Sequence, residues 1–124
     1  IALAAAQAVL EIFTKDGLLA RAEELGVKMR ARMDELQQRY EIVGEVRGKG
    51  PMLAMELVRD RETKEPAAAE AKKLVSLCYQ KGLVVLSCGN HGNVIRTLMP
   101  LVITDAELER GMSIIEESLH ELSA

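Results

Sequence analysis

The amino-acid sequence predicts an α+β fold, a small and mostly antiparallel sheet with helices on one face, preceded by a long helix. Three observations predict it. Apolar residues recur at helical spacing to about residue 40. From Ile42 the period changes to strand-like alternation, and two hairpins with a crossover helix between them follow. The order of elements reads α-α-β-β-α-β-β-α.

Residues 2–13 carry Leu3, Ala5, Ala6, Ala8, Val9, Ile12 and Phe13, a broad apolar stripe on an alanine-rich helix former. Lys15-Asp16-Gly17 punctuates it. A second helix runs to about Tyr40, with Leu18, Ala22, Leu25, Met29, Met33 and Leu36 on one side and Arg21, Glu24, Lys28, Arg32 and Glu35 on much of the other. Ile42–Arg47 and Met52–Val58 read as two short strands around the turn Gly48-Lys49-Gly50-Pro51. Arg59–Glu65 is a charged loop. Pro66 suits the first position of a third helix lined by Ala71, Leu74, Val75 and Cys78, and Gly82 suits its C′ position. Leu83–Ser87 and Val94–Met99 read as strands joined through Gly89-Asn90-His91-Gly92, with Pro100 ending the second. Thr104-Asp105-Ala106-Glu107 is a capping box that opens a last helix with Leu108, Met112, Ile115, Leu119 and Leu122 on one stripe.

Composition narrows the function. The 124 residues, 48% hydrophobic and 28% charged, are those of a soluble globular chain and suit one domain. A net charge of −3 with one Phe, two Tyr and no Trp argues against a nucleic-acid surface, which needs cations and stacking rings. Two cysteines, Cys78 and Cys88, make no disulfide framework and point to a reducing compartment. No apolar run approaches the roughly 20 residues of a membrane span. Ile1-Ala-Leu-Ala-Ala-Ala6 lacks the basic n-region of a signal peptide. The chain starts without Met and inside a helical pattern, so it is expected to be a piece of a longer protein.

Arg96 is the most informative residue. Alternation in Asn93-Val-Ile-Arg-Thr-Leu-Met99 puts it on one face with Val94 and Leu98, and a guanidinium among apolar neighbours must find an anion. Two readings follow. Either the guanidinium forks onto a substrate carboxylate, or it makes a structural ion pair, for which Glu56 is the obvious partner. Other motifs take plainer readings. Gly48-Lys-Gly-Pro51 lacks the spacing of a phosphate loop and is a hairpin turn with Lys49 exposed. Cys88 and His91 fall short of a zinc ligand set, with Cys78 in a core stripe and His120 near the end of the chain, so no metal is expected. Cys88 as a nucleophile has no third group to orient His91. The six methionines sit at core spacings, and Glu107, Glu109, Glu116, Glu117 and Glu121 form a solvated face.

Two stretches are recognisable. Gly44-Glu-Val-Arg-Gly-Lys-Gly-Pro-Met-Leu-Ala-Met-Glu-Leu57 resembles the C-terminal segment of class III (ω-amino acid) aminotransferases, and Cys88-Gly-Asn-His-Gly-Asn-Val-Ile-Arg-Thr-Leu-Met-Pro-Leu-Val-Ile-Thr-Asp105 strengthens the match. Within the class the second stretch is most similar to bacterial enzymes that use 4-aminobutyrate. The resemblance covers essentially the whole chain.

It implies the fold-type-I architecture and dependence on pyridoxal 5′-phosphate. Residues 1–40 would link from a large domain, and 41–124 would form a small C-terminal domain closing over the substrate. The family's carboxylate-binding arginine falls on Arg96. The Schiff-base lysine and the main cofactor contacts lie upstream in the family, so no catalytic or cofactor-binding residue is assigned to this chain. The implied reaction transfers the amino group of 4-aminobutyrate to 2-oxoglutarate, with an amino acid and a 2-oxo acid as partners, in a cytoplasmic homodimer or higher homo-oligomer. Alone, this piece would be inactive. Ornithine, acetylornithine, diaminobutyrate or β-alanine are alternative donors. A rival from another class is a stand-alone regulatory module binding an amino acid at Arg96, and a third is a plain dimerisation domain. The aminotransferase reading implies that the first helix exposes an apolar stripe when its large domain is absent.

Overall fold

The computed structural model describes residues 1–15 and 17–123. The elements run α1 (Ala2–Lys15), α2 (Leu18–Arg39), β1 (Val43–Lys49), β2 (Met52–Leu57), α3 (Ala68–Gln80), β3 (Leu86–Cys88), β4 (Val94–Arg96) and α4 (Asp105–Ser123). The strands form one four-stranded sheet in the order β1-β2-β4-β3. Every neighbouring pair is antiparallel, so the expected α+β sandwich is the observed one.

One face of the sheet builds the core. Val43, Val46, Leu53, Met55, Leu57 and Ile95 point inward and meet Leu25, Met29, Met33 and Leu36 of α2, Ala71, Leu74 and Cys78 of α3, and Leu108, Met112, Ile115 and Leu119 of α4. Each buried Val, Leu, Ile or Met among them contributes roughly 1.5–3 kcal/mol by leaving water. Residue 40 is therefore no break in packing, because α2 and the strands share one core. By contrast α1 buries nothing, and Leu3, Val9, Leu10, Ile12 and Phe13 stand exposed.

Backbone geometry explains how the elements meet. Gly26 of α2 sits against the β1–β2 turn so closely that a Cβ there would lie 2.5 Å from the Cα of Gly50. Beyond α3, Gly82 takes φ 88°, and the amides of Gly82 and Leu83 return to the carbonyls of Tyr79 and Cys78, a Schellman cap around the expected C′ glycine. At the start of α4 the Thr104 amide donates to the Glu107 carboxylate at 2.9 Å, and the Glu107 amide donates back to the Thr104 hydroxyl at 3.2 Å.

Some boundaries differ from expectation. Pro66 is not the first helical residue: it bridges to Val58, and α3 starts at Ala68 behind Ala67. Strands β3 and β4 pair over three residues each, because the ladder ends at Leu86↔Arg96. Leu83–Val85 and Thr97–Met99 lie outside it.

Candidate substrate-binding face

The face turned away from α2 and α3 is open. Across it the ladder sets Arg47 opposite Ala54, Ala54 opposite Arg96, and Arg96 opposite Leu86. Directly paired residues point to the same side of a sheet, so these four side chains form one row over four strands. Arg47 and Arg96 stand two strands apart, about 10 Å by strand spacing, with the small Ala54 between them.

Arg96 is exposed, which overturns the expected burial among apolar neighbours. Val94 is indeed buried, covered by the turn at Gly89, where a Cβ would come within 2.9 Å of its Cγ2. Leu98, however, points out at 68% exposure, and Leu86 and Met52 beside it are 56% and 63% exposed. The inward residues of this segment are Asn93, Ile95 and Thr97. Arg96 thus stands on open surface within an apolar collar.

The expected ion pair with Glu56 is not formed. Glu56 accepts from Arg47, its neighbour on β1, and more weakly from Asn93 Nδ2 at 3.4 Å. Arg47 holds the Glu56 carboxyl below the usual carboxylate range, with Asn93 adding to the effect against partial burial. Arg47 also meets Glu45 at 2.9 Å, so its charge is matched twice. Among the described residues no carboxylate lies within 4 Å of the Arg96 guanidinium. The row therefore has one neutralised cation and one open cation, and an arriving anion is drawn to Arg96.

The remaining candidates are not brought to this row as a set. Lys49 is exposed at the hairpin, as its turn position implies. Cys78 is buried in the core, where burial pushes its thiol up. Cys88 is half-buried and unpaired, on the same face as Val94. Among the described residues no group of three or more His, Cys, Asp or Glu side chains could hold a metal ion. Among the described residues no helix is long and apolar enough to cross a membrane.

The aminotransferase class III family model matches residues 1–119. The chain belongs to that family. It is 45% identical over 99% of its length to the 5-aminovalerate aminotransferase of Pseudomonas aeruginosa, of which it spans 29%. It is 38% identical over 98% of its length to the 4-aminobutyrate aminotransferase of Escherichia coli, spanning 28%. A leucine/methionine racemase of Thermococcus litoralis is 42% identical over 98% of the chain, which spans 27% of it. Among solved structures, a PLP-bound amine transaminase from an uncultivated Pseudomonas species superposes with a TM-score of 0.84 at 34% identity, over 96% of this chain and 27% of that one. The chain thus spans less than a third of the length of these class III relatives, and they include a racemase as well as aminotransferases.

Pyridoxal phosphate, the cofactor of class III aminotransferases, needs an amine kept near neutrality in a dry pocket. Among the described residues Lys15, Lys49, Lys64, Lys72 and Lys73 are exposed, and Lys28 and Lys81 are half-buried. Asp105 and Glu24 push Lys28 further toward its charged form. These side chains do not fit the cofactor, and no chemical step through it falls to them. What this class III chain offers is an open sheet face on which the Arg96 guanidinium has no carboxylate partner among the described residues.

Proposed function

We propose that the chain is the substrate-closing part of a longer pyridoxal-phosphate aminotransferase, and that Arg96 binds a carboxylate of the 2-oxoglutarate acceptor. The observation that carries this reading is the Arg96 guanidinium, exposed, free of acidic partners among the described residues, and ringed by Met52, Leu86 and Leu98. When another part of the protein covers that apolar collar, water leaves and a bidentate guanidinium–carboxylate contact strengthens. An open apolar α1 and a span of 29% of a curated relative support a longer parent.

For the donor we propose 4-aminobutyrate, the substrate in the name of the Escherichia coli relative. A second donor, 5-aminovalerate, is favoured by the 45% identity to the Pseudomonas aeruginosa enzyme. The two differ by one methylene, which a binding pocket distinguishes by only about 1–3 kcal/mol. From the same resemblance we propose a cytoplasmic homo-oligomer, whose oligomeric state light scattering on the whole protein checks. The deciding experiment incubates the full-length enzyme with 2-oxoglutarate and each donor, and measures glutamate. Glutamate formed with 4-aminobutyrate supports the proposal, and glutamate formed with 5-aminovalerate alone replaces the donor. Absence of glutamate from both, together with racemisation of leucine, overturns it.

A further inference from the structure

Strand β4 is three residues long, yet it sits between β2 and β3 and presents Arg96. Its attachment to β2 is reinforced at both ends by side chains. At the first end the Leu57 amide donates to the Asn93 carbonyl at 2.8 Å, and Asn93 Nδ2 donates back to the Leu57 carbonyl at 2.8 Å. At the other, the Thr97 amide donates to the Leu53 carbonyl at 2.9 Å. Its hydroxyl accepts from the Leu53 amide at 3.3 Å and donates to the Leu53 carbonyl at 3.0 Å.

In an antiparallel ladder such residue pairs exchange two main-chain bonds. Here each end makes one, and a side chain takes the place of the other. Both side chains are withdrawn from water, Asn93 at 2% exposure and Thr97 at 8%, and their bonds run mainly to β2. Arg96 is adjacent to Thr97, and no other side chain among the described residues fixes its guanidinium. Its position over the open face is set through the backbone.

We propose that Thr97 and Asn93 are positioning residues for Arg96, pinning β4 to β2 so that the guanidinium is held over Ala54 for carboxylate binding. This inference rests on the reading of Arg96 as the carboxylate site. Thr97→Val keeps the shape and strand preference of the side chain but leaves the Leu53 amide without its hydroxyl partner. Thr97→Ser keeps the hydroxyl.

The test titrates the full-length holoenzyme with glutarate, a dicarboxylate that cannot be transaminated, by calorimetry, and records thermal midpoints alongside. We expect Thr97→Val to weaken glutarate binding about tenfold, the worth of one buried hydrogen bond, and Thr97→Ser to stay within about twofold of the parent. A merely structural role lowers the thermal midpoint without changing glutarate affinity, and that result overturns the inference. If Arg96→Ala abolishes glutarate binding while Thr97→Val leaves it intact, the positioning role fails and the carboxylate site stands. If Arg96→Ala leaves binding unchanged, both fall. Asn93→Ala reads the same question from the other end of the strand should Thr97→Val not fold.

Discussion

Glu56 is held by Arg47 and not by Arg96, although both arginines lie on its face of the sheet. The pair spans β1 and β2, its side chains 44% and 28% exposed, so its worth is discounted for solvent to about 0.5–1 kcal/mol. Glu56→Gln is therefore expected to cost at most about 1 kcal/mol in a denaturant titration. It should leave glutarate affinity within about twofold, because the charge it removes is not the counter-ion of Arg96. A marked tightening of glutarate would show that Glu56 competes for that arginine.

Gly26→Ala tests the close approach of α2 to the β1–β2 turn. Alanine in a helix is favoured over glycine by about 1 kcal/mol. Here the new methyl would lie 2.5 Å from Gly50 backbone atoms, which cannot swing aside as a side chain can. Overpacking of this kind costs about 1–3 kcal/mol, and steric repulsion is expected to win. The expected outcome is a lower midpoint of chemical denaturation. A stabilised variant would mean the helix can shift away from the hairpin without loss.

Much of this architecture was legible in the sequence, and the misreadings have physical causes. The stripe Leu108, Met112, Ile115, Leu119 and the Thr104–Glu107 box place α4, and Gly82 places the end of α3, because local chemistry alone specifies them. Arg96 was harder. Both faces of Asn93–Met99 carry apolar residues, so alternation does not tell which face turns inward. Thr97 settles it, since its hydroxyl finds partners on the Leu53 backbone and can be buried. The partner of Glu56 depends on strand order, because β2 lies between β1 and β4 and either neighbour can supply an arginine. Asn93 and Thr97, four residues apart around Arg96, were the available signal for the strand anchors.

Arg61 closes the end of α2 from outside the helix. Its guanidinium donates to the carbonyls of Tyr40 and Val43 at 3.0 Å through Nη2, to that of Gln37 through the same nitrogen, and to that of Glu41 at 3.0 Å through Nε. These are carbonyls at a helix end or just beyond it, where helical partners run out. Arg61→Ala is expected to cost about 1–2 kcal/mol, with Arg61→Lys restoring only part because an ammonium cannot span the same fork. Thermal unfolding of the three proteins checks the order.

Acid should loosen the joint between α2 and α4. Asp105 accepts from Lys28 and Arg21, which hold its carboxyl below the ordinary value. Its folded-state pKa is thus lower than its unfolded one, so its stabilisation is complete above about pH 4 and is lost as pH falls through the folded value. Asp105→Asn is expected to be less stable than the parent at neutral pH, with the gap closing as pH falls below the ordinary carboxylate value and through the lowered folded one. A gap that stays constant through that window would assign the loss to packing and not to charge.

Arg96→Ala in the full-length enzyme decides whether Arg96 is a carboxylate site. The measurement is kcat/KM for 2-oxoglutarate beside that for the same reaction's amine donor. Loss of a charged, bidentate contact from a dry site is worth about 3 kcal/mol, so kcat/KM for 2-oxoglutarate should fall at least about a hundredfold, with lysine at this position recovering little. An unchanged kcat/KM for 2-oxoglutarate would remove Arg96 from the substrate site.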